Sequence, residues 1–186
     1  CCLYMEWGIK KLAENRIKVI DNFLTEKEFK ELTDLVLNNN FAWFYQKDVS
    51  GEKEEKSRYE DGKIAQDVCF FTHLFYRYYT PLSGHFEKLK PILEKINPLA
   101  IIRIKGNCYP ATEKIIVHEK HSDYPYQHKG LLFSLNDCDG YTLIGNEKIQ
   151  SKANRALFFD PTVLHSSTTC TNKRARFNIN FNYFSE

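Results

Sequence analysis

The sequence predicts a mainly β fold, an antiparallel sandwich or jelly-roll barrel with supporting helices. From residue 100 onward, short segments with β-strand character follow one another between turn signals, a spacing typical of such folds. Aromatic residues are plentiful, with 14 Phe and 11 Tyr, as is usual in a β-rich interior. A length of 186 residues fits one domain, residues 1–186, in which 1–99 provide support and 100–186 form the barrel.

The charge balance indicates which partners to expect. The chain has 26 basic and 24 acidic residues, a net charge of +2, which gives no field strong enough to favour nucleic acid or a membrane surface. No apolar run approaches the ~20 residues that span a bilayer. We therefore expect no membrane partner, and nucleic acid is disfavoured.

The six cysteines form no C-x-x-C pair and match no disulfide scaffold or zinc finger. We expect reduced thiols and a cytoplasmic protein. The N-terminal residues lack the basic and apolar regions of a signal peptide. The cysteines are Cys1, Cys2, Cys69, Cys108, Cys138 and Cys170.

The first elements are a strand at 17–20 and a helix. Thr25 followed three residues later by Glu28 forms a capping box, which predicts a helix start. Apolar residues then recur at helical spacing, so one face of the helix should pack on a sheet. The run 38–40, all Asn, ends it.

Three further segments precede the barrel. Residues 47–66 are polar and charged, which favours a mobile surface loop, with a lid over a pocket as the alternative. Residues 68–79 are apolar and aromatic, and periodicity alone leaves strand or buried helix open. Residues 83–96 predict a second helix, which Pro91 should kink unless it lies in the first turn.

The second half predicts seven strands. Asp139-Gly140 and Gly145-Asn146 are typical of hairpin turns. The predicted strands are residues 101–105, 115–118, 130–135, 141–144, 155–159, 162–165 and 176–184.

Two histidines and an aspartate in this half suggest a metal site. His121 and Asp123 are two residues apart, so on a strand both side chains face the same way. His165, at the end of a predicted strand, is the natural third ligand. Two imidazoles and one carboxylate are the facial triad of non-haem iron oxygenases, which leaves three adjacent positions open on an octahedral ion. His118 and His128, which flank the motif, are interpreted as surface or supporting groups.

The last strand alternates strictly. Arg176, Asn178, Asn180 and Asn182 share one face, whereas aromatic and aliphatic residues share the other. The polar face should therefore line a site, where an Arg offers a planar fork for a carboxylate. Arg176 is the first candidate for that role, and Arg174, of the same parity, is the second.

Residues 100–184 resemble the iron(II)- and 2-oxoglutarate-dependent dioxygenase superfamily, and in particular its prolyl-hydroxylase-like members. The resemblance implies a double-stranded β-helix, a jelly-roll or cupin-like barrel. It also implies that His121, Asp123 and His165 bind Fe(II), and that Arg176 pairs with the distal carboxylate of 2-oxoglutarate. The motifs that carry it are Asn107-Cys108-Tyr109, His121-Ser122-Asp123, Ser134-Leu135-Asn136, Asp139-Gly140-Tyr141-Thr142, His165 and Arg176.

Two pieces, Asn107-x-Tyr109 and Arg176-x-Asn178, also resemble AlkB-like nucleic-acid demethylases, in which such side chains hold the cosubstrate. They add Tyr109, Asn107 and Asn178 to the predicted 2-oxoglutarate site. The second Arg of those demethylases is Asn182 here, which counts against that activity. Ser134 stands where prolyl hydroxylases often have a tyrosine.

The resemblance implies an enzyme that consumes 2-oxoglutarate and O2, releases succinate and CO2, and hydroxylates a peptidyl residue or a small molecule. Asp123 favours hydroxylation, since related halogenases lack this carboxylate. Tyr124, Tyr126 and the 47–66 loop would shape the substrate entrance. Three alternatives remain: an AlkB-like demethylase, a cupin-like zinc or manganese enzyme, and a catalytically silent binding module. The primary substrate and the oligomeric state are left open.

Overall fold

The structure, a computed structural model, describes residues 17–47, 59–60, 63–64 and 69–186. Two α-helices occur there, α1 (Glu26–Val36) and α2 (Lys90–Ile96), the second preceded by a 3₁₀ turn at Phe86–Leu89. The strands of the described part are β1 (Lys18–Ile20), β2 (Phe44–Gln46), β3 (Tyr59–Glu60), β4 (Lys63–Ile64), β5 (Phe70–Arg77), β6 (Thr80–Pro81), β7 (Ala100–Pro110), β8 (Lys129–Ser134), β9 (Tyr141–Ile144), β10 (Glu147–Gln150), β11 (Arg155–Phe159), β12 (His165–Ser166) and β13 (Ala175–Phe184).

A large antiparallel sheet dominates the described part of the chain. Its strands run in the order β1-β11-β8-β13-β7-β5-β2, with β6 paired to β5. A small sheet has the order β10-β9-β12, and β3 pairs with β4. The mainly β fold is confirmed, and the supporting half of the chain provides strands at both edges of the large sheet.

One face of the large sheet carries the main apolar core, covered by the helices. Alternate residues of the central strands point to this side, including Phe133 of β8 and Ile179 of β13, both fully buried. Leu32 of α1 and Ile92 of α2 are buried against them. Gly106 of β7 belongs to this face because a Cβ there would lie 3.3 Å from the Trp43 ring.

The opposite face of the large sheet packs against the small sheet. A second, smaller apolar cluster joins Leu132 of β8 and Phe159 of β11 to Ile144 of β9. The polar residues of β13 lie on this face and are buried, Asn178 at 1 % and Asn182 at 0 % exposure. The expectation that the polar face of the last strand avoids bulk water is confirmed, since all four of its polar side chains, Arg176, Asn178, Asn180 and Asn182, are buried.

The two helices follow their sequence signals with one difference. Thr25 and Glu28 form the reciprocal capping box that starts α1. The second helix, predicted at 83–96, is shorter: a 3₁₀ turn comes first, and α2 begins with Pro91 in its first turn, where no backbone N–H is needed. The 68–79 segment is a strand in its described part, β5.

Two predicted strands are wrong. Residues 115–118 make only an isolated bridge, between Val117 and Thr168. In the predicted 162–165 strand, residues 162 and 163 belong to a turn, and β12 starts only at His165. The cause is Asp160, whose carboxylate accepts hydrogen bonds from the Thr162 backbone N–H at 2.9 Å and the Thr162 hydroxyl at 2.6 Å. Such local bonds hold the chain in a turn rather than a strand.

The two predicted hairpin turns differ in outcome. Gly145-Asn146 joins β9 to β10, with Gly145 at φ 59°, and β10 itself was not predicted. Asp139-Gly140 is not a hairpin, because it carries the chain from β8 in the large sheet to β9 in the small one. The Asp139 carboxylate accepts from the backbone N–H and the hydroxyl of Thr171, which ties this crossover to a neighbouring loop.

Most of the predicted 47–66 loop or lid lies outside the described residues, which include only the backbone hairpin of β3 and β4 from its interior.

Cys69, Cys108, Cys138 and Cys170 are free thiols. No helix in the described part is long and apolar enough to cross a bilayer.

Candidate metal centre

Two chain segments, residues 121–123 and 161–165, lie side by side and bring the three predicted metal ligands together. His121 and His165 face each other across an isolated antiparallel bridge, with N–H to carbonyl distances of 3.0 and 2.9 Å. The backbone N–H of Asp123 donates to the Pro161 carbonyl, also at 3.0 Å. His121 and Asp123 therefore project to the same side, as the i, i+2 spacing predicted, although residues 121–123 form only a bridge and no strand.

The ligand atoms of His121, Asp123 and His165 all lie within 4.8 Å of one another. Each imidazole is oriented by a carbonyl, since Nδ1 of His165 lies 2.9 Å from the Val163 oxygen and Nδ1 of His121 lies 3.3 Å from the Glu119 oxygen. These contacts favour the tautomer with hydrogen on Nδ1, which leaves Nε2 free to bind a metal. Burial and then the neighbouring His165 lower the pKa of His121, which favours the neutral ring.

The Asp123 carboxylate is held as an anion by two donors. Arg103 donates to Oδ1 and the Asn180 amide donates to Oδ2, each at 3.0 Å. Burial alone would raise the pKa of Asp123, but the Arg103 charge and the Asn180 hydrogen bond outweigh it and lower the pKa to about 2. The cluster thus offers two imidazole nitrogens and one charged oxygen, a donor set suited to a divalent cation.

A narrow cavity of about 40 Å³ extends from the three ligands into the space between the sheets. Its floor includes Asn107, Asn178 and Asn180, which lie on adjacent strands and are buried. The Asn107 side-chain Nδ2 donates to the side-chain Oδ1 of Asn178 at 2.9 Å. The Asn107 Oδ1, Asn178 Nδ2 and Asn180 Oδ1 atoms have no hydrogen-bond partner among the described residues. Buried polar atoms without partners are costly, so this cavity is suited to a polar ligand.

Arg176 lies beyond this cavity and is 1 % exposed. Its guanidinium donates to the Tyr141 carbonyl and the Thr142 hydroxyl, both at 2.7 Å, and to the Thr168 carbonyl at 3.2 Å. None of these partners is a carboxylate, and Nε has no hydrogen-bond partner among the described residues. Arg174, the other candidate, is exposed in the turn before β13.

Tyr109 and His118 lie beside each other at this end of the cavity. The Tyr109 ring stacks on Phe70 at 5.4 Å and is 5.3 Å from the His118 ring. Burial raises the pKa of Tyr109, so its hydroxyl stays protonated. Burial and then the Arg176 charge lower the pKa of His118 to about 4, and Nδ1 of His118 lies 2.8 Å from the Ser167 hydroxyl. His118 is thus a buried neutral group outside the metal cluster rather than a surface residue.

His128 is also buried, with Nε2 3.0 Å from the Asn182 amide oxygen. This contact occupies Asn182, the residue at the position of the demethylases' second Arg. Ser134 is buried but is not among the described residues that line the cavity. Tyr124 and Tyr126 stack on each other at 5.4 Å, and the Arg103 guanidinium lies 5.3 Å from the Tyr124 ring.

Sequence reasoning missed three groups of this site. Arg103 binds the Asp123 carboxylate, Thr142 binds Arg176, and Lys105 lines the cavity. Arg103, Lys105, Asn107 and Tyr109 share one parity along β7. That alternation, which continues Asn107-x-Tyr109 backwards, was the signal that could have identified the two cations.

Comparison with known proteins places the fold. No family model matches the sequence, and no curated protein matches it. A prolyl hydroxylase from Trichoplax adhaerens, in complex with a hypoxia-inducible-factor peptide fragment, is a structural match at 17 % identity and TM-score 0.61, over 92 % of this chain and 84 % of that one.

Two further matches share the architecture. The non-heme α-ketoglutarate-dependent epimerase SnoN of nogalamycin biosynthesis has 13 % identity and TM-score 0.62, over 92 % of this chain and 78 % of that one. HygX from Streptomyces hygroscopicus, with nickel and 2-oxoglutarate bound, has 11 % identity and TM-score 0.57, over 91 % and 83 %. The chain therefore has the jelly-roll fold of these oxygenases, and its chemistry depends on its own site residues.

Proposed function

We propose that this protein is a 2-oxoglutarate- and Fe(II)-dependent oxygenase that hydroxylates an unidentified primary substrate. His121, Asp123 and His165 would hold Fe(II). Arg176, Tyr109, Asn107 and Asn178 would hold 2-oxoglutarate, with O2 as the second cosubstrate. The cytoplasmic location, expected from the cysteines, stays a prediction.

The observation that carries this proposal is the pairing of the His/Asp/His cluster with the buried guanidinium of Arg176, which has no carboxylate partner among the described residues. Burying a charge without a counter-charge is costly in any fold. The carboxylate of a keto acid would supply the negative charge that Arg176 lacks among the described residues, and the three ligands would hold the metal that its keto-acid group needs. Asn107 and Asn178, whose amides each have an unpartnered atom among the described residues, line the narrow cavity together with the three ligands.

The protein's own groups position and shield the reactants. Fe(II) held by these residues would supply the O2-dependent oxidative decarboxylation of 2-oxoglutarate, in which one oxygen atom goes to succinate and the other to the hydroxylated substrate. The Val163 and Glu119 carbonyls fix the two imidazoles. Leu132 and Phe159 form the apolar wall of the cavity and limit access of water.

The cavity must widen to admit the cosubstrate, since about 40 Å³ is far below the roughly 300–1,000 Å³ usual for ligand pockets. Lys105 is the side chain best placed to move. It lines the cavity, and its described contact is with the Phe70 ring, 5.6 Å from Nζ, rather than a hydrogen bond.

The alternatives gain no support from the described residues. A demethylase would use a second Arg where Asn182 already bonds His128. A cupin-like zinc or manganese enzyme, or a silent binding module, would leave Arg176 without a role.

Succinate formation and O2 uptake, measured with Fe(II) and 2-oxoglutarate, test the activity. We expect His121→Ala to abolish both, whereas His118→Ala retains metal-dependent uptake because His118 lies outside the cluster. Arg176→Gln should raise the KM for 2-oxoglutarate at least tenfold, through loss of a charge-assisted hydrogen bond.

Arg174→Gln is the matched control, since it removes the same charge from an exposed site and should leave the KM unchanged. Thermal unfolding of each variant separates loss of function from loss of fold. Arg176→Lys is a further comparison, because it keeps the positive charge and removes only the planar guanidinium. Succinate production that is unaffected in His121→Ala, or an equal KM change in both arginine variants, would contradict the proposal.

A further inference from the structure

A second, larger cavity adjoins the metal centre on the same face of the large sheet. It has a volume of about 860 Å³ and lies between β2, β5, β7 and the turn at residues 82–85; we name it the edge cavity. Lys105 lines both the edge cavity and the narrow cavity. Phe70 lines the edge cavity while stacking on Tyr109 of the narrow one. Its volume falls in the range of about 300–1,000 Å³ usual for ligand pockets.

The charges that line the edge cavity are all positive in the described part of the chain. Arg77, Arg103 and Lys105 contribute cations, and no described Asp or Glu side chain lines it. Of these three cations, Arg103 is the one with an anionic partner among the described residues, Asp123, which belongs to the metal cluster. Among the described residues, the cavity therefore presents positive charge next to the metal cluster, and Arg77 and Lys105 have no carboxylate ion-pair partner there.

Lys105 is affected by this excess of positive charge. Burial is the largest cause and lowers the pKa of Lys105. The Arg103 charge lowers it further, the Asp123 carboxylate raises it in part, and the Arg77 charge lowers it again. The resulting pKa is about 7. A cation destabilised by other cations is stabilised when an anion binds between them. The Arg77 guanidinium offers a planar fork for two oxygens of such an anion.

We infer that the primary substrate carries a carboxylate that binds in the edge cavity on Arg77 and Lys105, with the carbon to be oxidised directed toward the metal ligands. This inference rests on the proposed oxygenase function and names its substrate class. A peptide with an acidic side chain and a free organic or amino acid share this chemistry. Phe44 and Phe70 provide apolar surface for the remainder of either ligand.

Binding of acidic probes to protein that is loaded with Mn(II) and saturated with 2-oxoglutarate tests the inference without turnover. The small-molecule arm compares the N-acetyl amides of Asp and Glu with those of Asn and Gln. The peptide arm compares six-residue capped peptides that contain Asp or Glu with their Asn or Gln counterparts. NMR or calorimetric titration should give tighter binding of the acidic member in at least one arm, and the arm identifies the source.

Charge-removing variants locate the binding site. Arg77→Gln and Lys105→Gln should each weaken binding of the acidic probe roughly tenfold, whereas Arg174→Gln, at an exposed site, should leave its affinity unchanged. Higher salt should weaken binding of the acidic probe but not binding of its amide counterpart. Equal binding of acidic and neutral probes in both arms, no binding of any acidic probe, or acidic binding unchanged in Arg77→Gln and Lys105→Gln would overturn the inference.

The 2-oxoglutarate affinity of the same samples separates this result from the proposed function. Arg77→Gln should retain it, since Arg77 does not line the narrow cavity. If 2-oxoglutarate does not bind the wild type, the oxygenase proposal fails. Carboxylate binding in the edge cavity is then still tested by comparing acidic-probe binding in the wild type, Arg77→Gln and Lys105→Gln.

Discussion

Asp123 shows how single residues tune the candidate metal centre. Its side chain is 5 % exposed, and both carboxylate oxygens are held, one by Arg103 and the other by Asn180. Partners of this kind fix the direction of a ligand and hold it in the charged form before the metal arrives. The ligand is therefore pre-oriented by residues from β7 and β13.

Replacing Arg103 tests this pre-orientation. We expect Arg103→Gln to weaken Mn(II) binding roughly 10- to 100-fold, as loss of a group behind a metal ligand commonly does. Calorimetric Mn(II) titration measures the effect, with Arg174→Gln as the control of equal charge change. Unchanged affinity in Arg103→Gln would show that Asn180 alone is sufficient to position the carboxylate.

At this scale the sequence predicted the ligands better than their supports. His121 and Asp123 follow from a spacing of two, because extended backbone places alternate side chains together even in the single bridge found here. Arg103 lies 20 residues from Asp123 in the chain and belongs to no local motif. Only the fold brings them together, so their contact could not be predicted from spacing.

The crossover at Asp139-Gly140 is informative at the scale of elements. A Cβ on Gly140 would lie 2.6 Å from the Thr169 carbonyl oxygen and 2.9 Å from Cδ of Arg176. Glycine is therefore needed for the close approach of this crossover to Arg176. The same dipeptide predicted a hairpin, because turn chemistry in the sequence does not distinguish a strand reversal from a passage between sheets.

Gly140→Ala should destabilise the fold by about 1–3 kcal/mol, the usual cost of overpacking against backbone. It should also weaken 2-oxoglutarate binding, because Arg176 must shift. Thermal unfolding and a 2-oxoglutarate titration measure the two effects. Gly84→Ala is the matched control, since nothing lies within 4 Å of a Cβ there; equal stability of the two variants would contradict this packing.

Asp21, just after β1, connects that edge strand to the loop before β11 and to β11 itself. Arg155 donates to it at 2.6 and 3.1 Å, and Lys152 donates at 2.8 Å. The Arg155 hydrogen bonds and then the Lys152 hydrogen bond lower the pKa of Asp21. A carboxylate with a lowered pKa in the fold contributes stability that is present above its unfolded pKa of ~3.9 and lost as the pH falls below it.

Asp21→Asn should therefore lower stability at pH 7, by no more than ~1 kcal/mol because the pair is partly exposed. The difference from the wild type should shrink as the pH falls from 4 toward 2. Thermal unfolding across that range measures it, and Asp34→Asn on the exposed face of α1 is the control. A difference that stays constant with pH would show that the ion pairs are not its source.

At the scale of the whole molecule, the β13 strand organises both layers. Its apolar residues face the helices and its polar residues face the small sheet, so one strand supplies core packing and the cavity floor. The alternation of residues 176–183 predicted this arrangement. The order of strands in the two sheets and the edge cavity depend on long-range pairing, such as β13 between β7 and β8, which periodicity does not encode.

The central claim is that one cation and one keto acid bind together, the cation on His121, Asp123 and His165 and the keto acid between it and Arg176. Calorimetric titration of 2-oxoglutarate into anaerobic protein, with and without one equivalent of Mn(II), tests it most directly. We predict one equivalent bound in the presence of the metal, with binding at least tenfold weaker without it and in metal-treated His165→Ala. Equally tight binding without metal, or in His165→Ala, would contradict the account.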